Sequence, residues 1–421
     1  MAQKAGQSLP QQHAQWGDLK ATYRLLSNDE VEPAALLGPH QRLVLQQMLG
    51  HEVVLCVQDD THLFVRPGEQ VQHTSLAVLP DGTLLGVLDL RWFEPVIPPP
   101  GETRHQRESR WRESCIWGEA VRGLGRHPHG GRFIHVCDRA ADDLNLMQDC
   151  DATNSGFVIR ARHDRRVEQA EQAEQQDKLW SFMAARPAAG KTIVRIGTQR
   201  DGSGRITRAA REATVSIRHA AVTLRPPHNH PGTHSPRTLW AVYVREENPP
   251  ADQQPIDWML LSSEPVANRD DALRIIGYYR CRWIIEEWHR CLKEGCHLEQ
   301  SQLDQPRDHQ RLAAILSVVA VRLLNLRERA ESDRSQDPSA LREQTPLIWI
   351  ELVARLGRVD PQHLTPRQFW LTLARRGGYL GRKRDGRPGW KVIWRGWYDV
   401  HQMVCGAELW QELHPTTQQC G

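Results

Sequence analysis

Long apolar runs are missing from this chain of 421 residues. No stretch reaches the roughly 18 consecutive apolar residues that a membrane-spanning helix needs. The longest, "LAAILSVVAVRLLNL" at 312–326, is shorter and carries Arg322, so it reads as a buried helix. The opening "MAQKAGQSLPQQHAQW" has no apolar core, which argues against a secretory leader. The nine cysteines are scattered singly without a CxxC pair, a usage that suits a reduced cytoplasm rather than a disulfide framework. Charge of one sign is scarce as well. A net charge of +3 says little about a polyanionic partner. No repeat of fixed period is visible, and the length allows two or three domains with a sizeable core.

What is present is local. Arg104, Arg107, Arg110, Arg112, Arg122, Arg126 and Arg132 crowd one segment, and "RARHDRR" at 160–166 adds four more arginines. "RRGGYLGRKRDGRPGWKVIWR" at 375–395 holds eight basic residues against Asp385 alone. Such clusters fit contact with a phosphate backbone, although ordinary surfaces also carry them.

Residues 12–48 read as helical. "HEVVLCVQDDTH" is a near-continuous apolar run that stops at Asp59, the pattern of a buried central strand delivering a carboxylate at its end. "TSLAVLPDGTLLGVLDLRWF" reads as two strands joined through Pro80-Asp81-Gly82, "RESRWRESCIWGEAVRGL" as a helix, and "GRFIHVCDRAADD" as a strand ending on Asp138. Three strands, a helix and a fourth strand is the order of a ribonuclease-H-like sheet. The expected fold is therefore α/β: a catalytic domain over 49–330 with a β-rich insertion at about 152–265. A helical segment at 1–48 precedes it. A helical, basic region at 346–421 follows a polar linker.

"YYRCRWIIEEWHRCLKEG" at 278–295, laid on a helix, places Tyr279, Arg282, Glu286, Arg290 and Lys293 on one stripe. The opposite stripe is apolar. A solvated salt-bridge face explains this as simply as a site does. Asp59, Asp138 and Glu286 together change the balance, because two strand ends and one helix can bring three carboxylates to one place. Three hard oxygen ligands suit Mg²⁺ or Mn²⁺ rather than Zn²⁺. Two such ions roughly 3.5–4 Å apart would serve in-line attack on a phosphodiester. Cys281, Cys291, Cys296 and His297 make a poor zinc set, since no second cysteine pair exists. "GLGRHPHGG" lacks the lysine and spacing of a phosphate loop.

The stretch around Glu286 resembles the Y-R-E-K signature of cut-and-paste DDE transposases of bacterial insertion-sequence family four. The spacing maps to Tyr279, Arg282, Glu286 and Lys293. "VQDDTH" and "HVCDRAADD" resemble the family's two aspartate segments, and further likeness runs over roughly 16–410. The resemblance implies Asp59, Asp138 and Glu286 as catalytic residues holding two Mg²⁺ or Mn²⁺ ions. Tyr279, Arg282, Arg290 and Lys293 would contact DNA. Trp258 could stack an unpaired base, and Arg160 and Arg162 are further DNA candidates. The implied partners are double-stranded DNA, at element ends and target, and a second copy of the chain. The implied place is the bacterial cytoplasm, at the nucleoid. "MAQKAGQSLPQQ" looks unlike the longer N-terminal DNA-binding region usual in the family. A shortened, non-catalytic regulator and a stand-alone nuclease of the same fold are therefore the alternatives.

Overall fold

The computed structural model describes residues 8–414 apart from 14, 67, 104–105, 107–110, 169–177, 198, 201–204, 209, 227–234, 252, 330–335, 343–344, 383–384 and 386–387. Arg104, Arg107, Arg110, Arg384, Arg387 and Lys383 of the basic clusters lie outside the described residues, as do most of the Gln/Glu-rich piece and much of the polar linker. The chain forms two compact units. One comprises 1–39, 63–68 and 287–421; the other comprises 40–62 and 69–286.

The second unit is built on a mixed sheet of nine strands. Its strands are β1 (Val53–Val65), β2 (Gly68–Val78), β3 (Leu84–Phe93), β4 (Arg132–Cys137), β5 (Gly156–Arg160), β6 (Gly190–Ile196), β9 (Arg211–Leu224), β10 (Arg237–Glu246) and β11 (Asp257–Ser262). A separate two-stranded ribbon pairs β7 (Gln199–Arg200) with β8 (Ile206–Arg208). The spatial order is β3-β2-β1-β4-β5-β11-β10-β9-β6. β4 runs parallel to both β1 and β5. β11, β10, β9 and β6 then continue antiparallel from β5, so the β-rich stretch expected at 152–265 extends the central sheet.

The central strands are apolar on both sides because helices cover both faces, the usual reason for an unbroken hydrophobic strand. One face carries Val54, Cys56 and Phe133 against Val44 and Met48. Farther along it, Cys137, Phe157 and Ile159 pack under Ile116, Trp117 and Val121 of the helix Cys115–Leu124 and under Leu146 and Met147 of the helix Leu144–Ala152. The other face lies beneath the helix Arg269–Arg280, which contacts β4, β5, β9, β10 and β11. That helix starts cleanly: the Asn268 side chain accepts the N–H groups of Asp270 and Asp271, and both acids complement the positive helix end. The β2–β3 turn also follows from sequence. Gly82 adopts φ 95°, and Asp81 accepts the Thr83 N–H at 2.9 Å.

The first unit is helical. Pro306–Arg329 buries Leu312, Leu316, Ala320 and Leu323, and its fully buried Arg311 donates to the carbonyls of Leu26 and Val31 at 2.7 Å each. Among the described residues no helix is long and apolar enough to cross a membrane. The helices Leu347–Gly357, Pro366–Arg376 and Trp390–Leu413 share a core of Trp349, Ile350, Phe369, Trp370 and Ile393.

Two glycines set how closely the last two helices approach. A Cβ built on Gly396 would stand 1.7 Å from the Leu373 carbonyl oxygen, and one on Gly377 would stand 1.9 Å from that of Val392. Both neighbours are backbone, so the helices would have to part. Gly396→Ala is expected to destabilise this unit by about 3 kcal/mol in chemical denaturation, a large overpacking penalty. An unchanged midpoint would refute the close crossing.

Candidate active site

β1 and β4 set the first two carboxylates side by side. Their last paired rung is Val57↔Val136, and Asp59 and Asp138 each lie two residues beyond it, on the same face. β1 itself continues to Val65, so the expectation that it stops at Asp59 is corrected. What ends there is the pairing with β4, while β1 goes on beside β2. β5 extends the row: Cys137 pairs with Ile159, which puts Arg160 one step farther, level with Asp138.

The third carboxylate arrives from the helical face. A single unbroken helix over 278–295 is not what forms. The helix Arg269–Arg280 ends, the bonding tightens to i→i−3 at Arg282 and Ile284, and a new helix, Trp283–Arg290, begins. A π turn, Cys291–Gly295, follows, closed by Cys296 N–H to the Cys291 carbonyl at 2.9 Å. A uniform 3.6-residue period fails across both irregularities. Arg282 sits at the first of them. Its Nη1 donates to Asp59 Oδ2 at 2.8 Å and its Nη2 to Glu286 Oε1 at 3.0 Å, so one guanidinium lies between the two acids.

Electrostatics follows from this crowding. Asp59, 16% exposed at its side chain, has its pKa pushed up to about 7. Burial is the main cause. Arg282 opposes the rise, and the nearby charges of Asp138 and Glu286 add to it. For Arg282, burial alone would depress the guanidinium, but Asp59, Tyr279 and Glu286 outweigh it and raise its pKa. Asp138 spends one oxygen on capping the short turn Arg139–Ala141, accepting the Ala140 N–H at 2.7 Å. Asp59 and Glu286 share the Arg282 guanidinium, and Asp138 stands beside Asp59 on the same face. That donor set fits a hard divalent ion, with Arg282 now where it separates two of the donors. Among the described residues, no three His, Cys, Asp or Glu side chains already stand close enough to form one metal-binding group.

The remaining predicted residues divide. Tyr279 is buried and meets the Trp258 ring edge-on at 5.3 Å. Arg160 donates to the Asp257 carbonyl at 2.9 Å, and burial lowers its pKa. Arg162 is exposed just past the end of β5. Arg290 and Lys293 belong to the first unit; Arg290 is exposed, and Lys293 Nζ lies 3.8 Å from Glu299.

Sequence reasoning missed three things. Trp283 is half exposed beside Arg282, whose guanidinium lies 5.4 Å from its ring. On the opposite sheet face, the partly exposed Asp60 starts a polar chain through the buried His73, Gln58 and His135, with contacts of 2.5, 3.2 and 2.7 Å. Burial drives the His135 pKa down to about 3, leaving a neutral ring. Asp142 is buried against the arginine loop after β5. Only the adjacency of "DRAADD" to Asp138 could have drawn attention to Asp142.

Residues 118–322 match the transposase DDE domain family, and residues 1–31 match the transposase DNA-binding family. Two separate stretches of the chain are thus similar to two domain families named for transposases. Asp138 and Glu286 fall inside the DDE match, and Asp59 precedes it. The N-terminal match spans "MAQKAGQSLPQQ", the stretch that by eye looks unlike the family.

The Asp59 shift predicts a pH effect. Its folded pKa exceeds the ordinary carboxylate value of 3.8, so its contribution is fully present below about pH 4 and is lost as pH rises through about 7. In EDTA at pH 8, Asp59→Asn is expected to be more stable than the natural chain by about 1–3 kcal/mol, with the gap closing toward pH 4. Melting curves of both proteins across pH check this. A gap that widens on acidification would overturn the assigned cause.

Proposed function

We propose that this chain is a cut-and-paste DNA transposase of the insertion-sequence family-four type, acting on phosphodiester bonds at the ends of a mobile element. The observation that carries the reading is the placement of Asp59 and Asp138 at one register on adjacent parallel strands, with Glu286 joined to Asp59 through Arg282. The strand order β3-β2-β1-β4-β5, with β1, β4 and β5 parallel, supports a ribonuclease-H-like core.

In this reading Asp59, Asp138 and Glu286 hold two Mg²⁺ or Mn²⁺ ions. Bound there, the ions supply activation of the attacking water or 3′-hydroxyl and stabilisation of the leaving oxygen. Asp59 contributes through its burial: a carboxylate crowded by two others gains more from a cation than an exposed one does. Arg282 exchanges its carboxylate partners for phosphate oxygens, to which a planar fork is well suited. Arg160 and Arg162, at and just past the C-terminal end of β5, contact the backbone, and Arg290 and Lys293 add phosphate contacts. Trp258, packed on Tyr279, offers a ring face for a base leaving the duplex. The sequence of events is hydrolysis at the element end, attack of the freed 3′-hydroxyl on the opposite strand to give a hairpin, opening of the hairpin, and attack on target DNA. Two copies of the chain bring the two ends together.

The test is cleavage of duplex carrying the element ends in Mg²⁺ and in Mn²⁺. The natural chain is expected to nick, and Asp59→Ala, Asp138→Ala and Glu286→Ala to lose at least about a hundredfold in rate while still binding DNA. Equal cleavage by all four proteins would remove the assignment. Binding without cleavage by the natural chain would favour a DNA-binding regulator.

A further inference from the structure

We propose that Asp142 is a positioning residue: it fixes the loop after β5 so that Arg162 meets the DNA backbone beside Asp138. The inference rests on the DNA-acting role proposed above and adds to it a residue outside the acidic triad.

Asp142 lies four residues after Asp138, at the far end of the capped turn Arg139–Ala141. Its side chain is fully buried. Oδ2 accepts the N–H groups of Arg162 at 2.7 Å and His163 at 2.9 Å. Oδ1 accepts from Arg165 Nη1 at 2.5 Å, and Arg165 Nη2 donates to the Asp142 carbonyl at 3.0 Å. Arg165 is itself buried, with 8% of its side chain exposed. A buried ion pair with this many hydrogen bonds contributes less to net stability than to holding one geometry, and breaking it leaves an unpaired buried charge.

The geometry held is that of an arginine loop. Ala161 N–H donates to the Met259 carbonyl at 2.7 Å, after which the backbone leaves β11. Two consecutive N–H groups then turn inward onto Asp142, while the Arg162 and His163 side chains face solvent. Consecutive N–H groups converging in this way usually form a nest for an external anion. Here an internal carboxylate fills the nest, so the loop has one shape before any phosphate arrives. The same short segment carries Asp138 at its start, which ties the arginine to the candidate site through five residues of chain.

A charge effect and a positioning effect of Asp142 move DNA affinity in opposite directions. If Asp142 were only a negative charge near DNA, neutralising it would strengthen binding. If it positions Arg162, neutralising it weakens binding despite the added positive charge. The experiment measures affinity of the full chain for a 30-base-pair duplex as a function of salt, with melting curves on every protein. Arg162→Ala is expected to lose about one unit of log–log salt slope and about three- to tenfold in affinity. Asp142→Asn is expected to lose as much, and the double variant no more than either single one. Should Asp142→Asn fail to fold, Asp142→Glu retains the charge and the Arg165 partner but displaces the two N–H groups, and the same loss is expected. A folded Asp142 variant that binds as tightly as the natural chain, or additive losses in the double variant, overturns the inference alone. Failure of the natural chain to bind duplex overturns the transposase reading and this inference with it.

Discussion

A carboxylate placed at the end of a buried parallel strand pair is an unfavourable charge, and at Asp59 it is made worse by two more acids nearby. The Arg282 guanidinium, shared between Asp59 and Glu286, is what makes the arrangement tolerable in the isolated protein. The local backbone reflects that demand. The helical chain breaks and tightens where Arg282 must reach the strand end, then resumes in time to present Glu286. Helical regularity yields here to the electrostatics of the site. Such local conflicts are expected where a protein keeps a destabilising group for its chemistry.

The sheet supplies the rigidity this requires. Asp59 and Asp138 stand on strands whose other residues are packed under helices on both faces, so neither acid can withdraw without disturbing a core. The far face adds a buried hydrogen-bonded chain through Gln58, His73 and His135, directly behind Asp59. Gln58 bonds to both histidines and so links β2, β1 and β4, while His135 Nε2 is left buried without a partner.

Much of this was legible in the sequence, for identifiable reasons. Unbroken apolar runs ending on Asp59 and Asp138 marked strands covered on both faces, and Pro80-Asp81-Gly82 marked the hairpin. The amphipathic stripe picked out Arg282 and Glu286 as neighbours. It could not show that the stripe crosses a helix break and a π turn, because periodicity assumes constant winding. Nor could it show Arg282 reaching back over 223 positions to Asp59. Pairing across such distances leaves no local trace, which is also why β6 to β11 read as a separate piece rather than as a continuation of the central sheet. Asp142 escaped notice for a related reason. Alone, it looks like one more acid opening a turn, and its meaning comes from an arginine loop 20 residues later.

In the proposed function Asp59, Asp138 and Glu286 form a shared cradle for divalent cations, and Arg282 bridges two of them, Asp59 and Glu286. The most direct test is an anomalous difference map from crystals of the full chain grown with Mn²⁺. The account predicts peaks about 2.1 Å from oxygens of these three carboxylates, with Arg282 displaced from between Asp59 and Glu286. Manganese bound elsewhere, with the Arg282 bridge still in place, would contradict it.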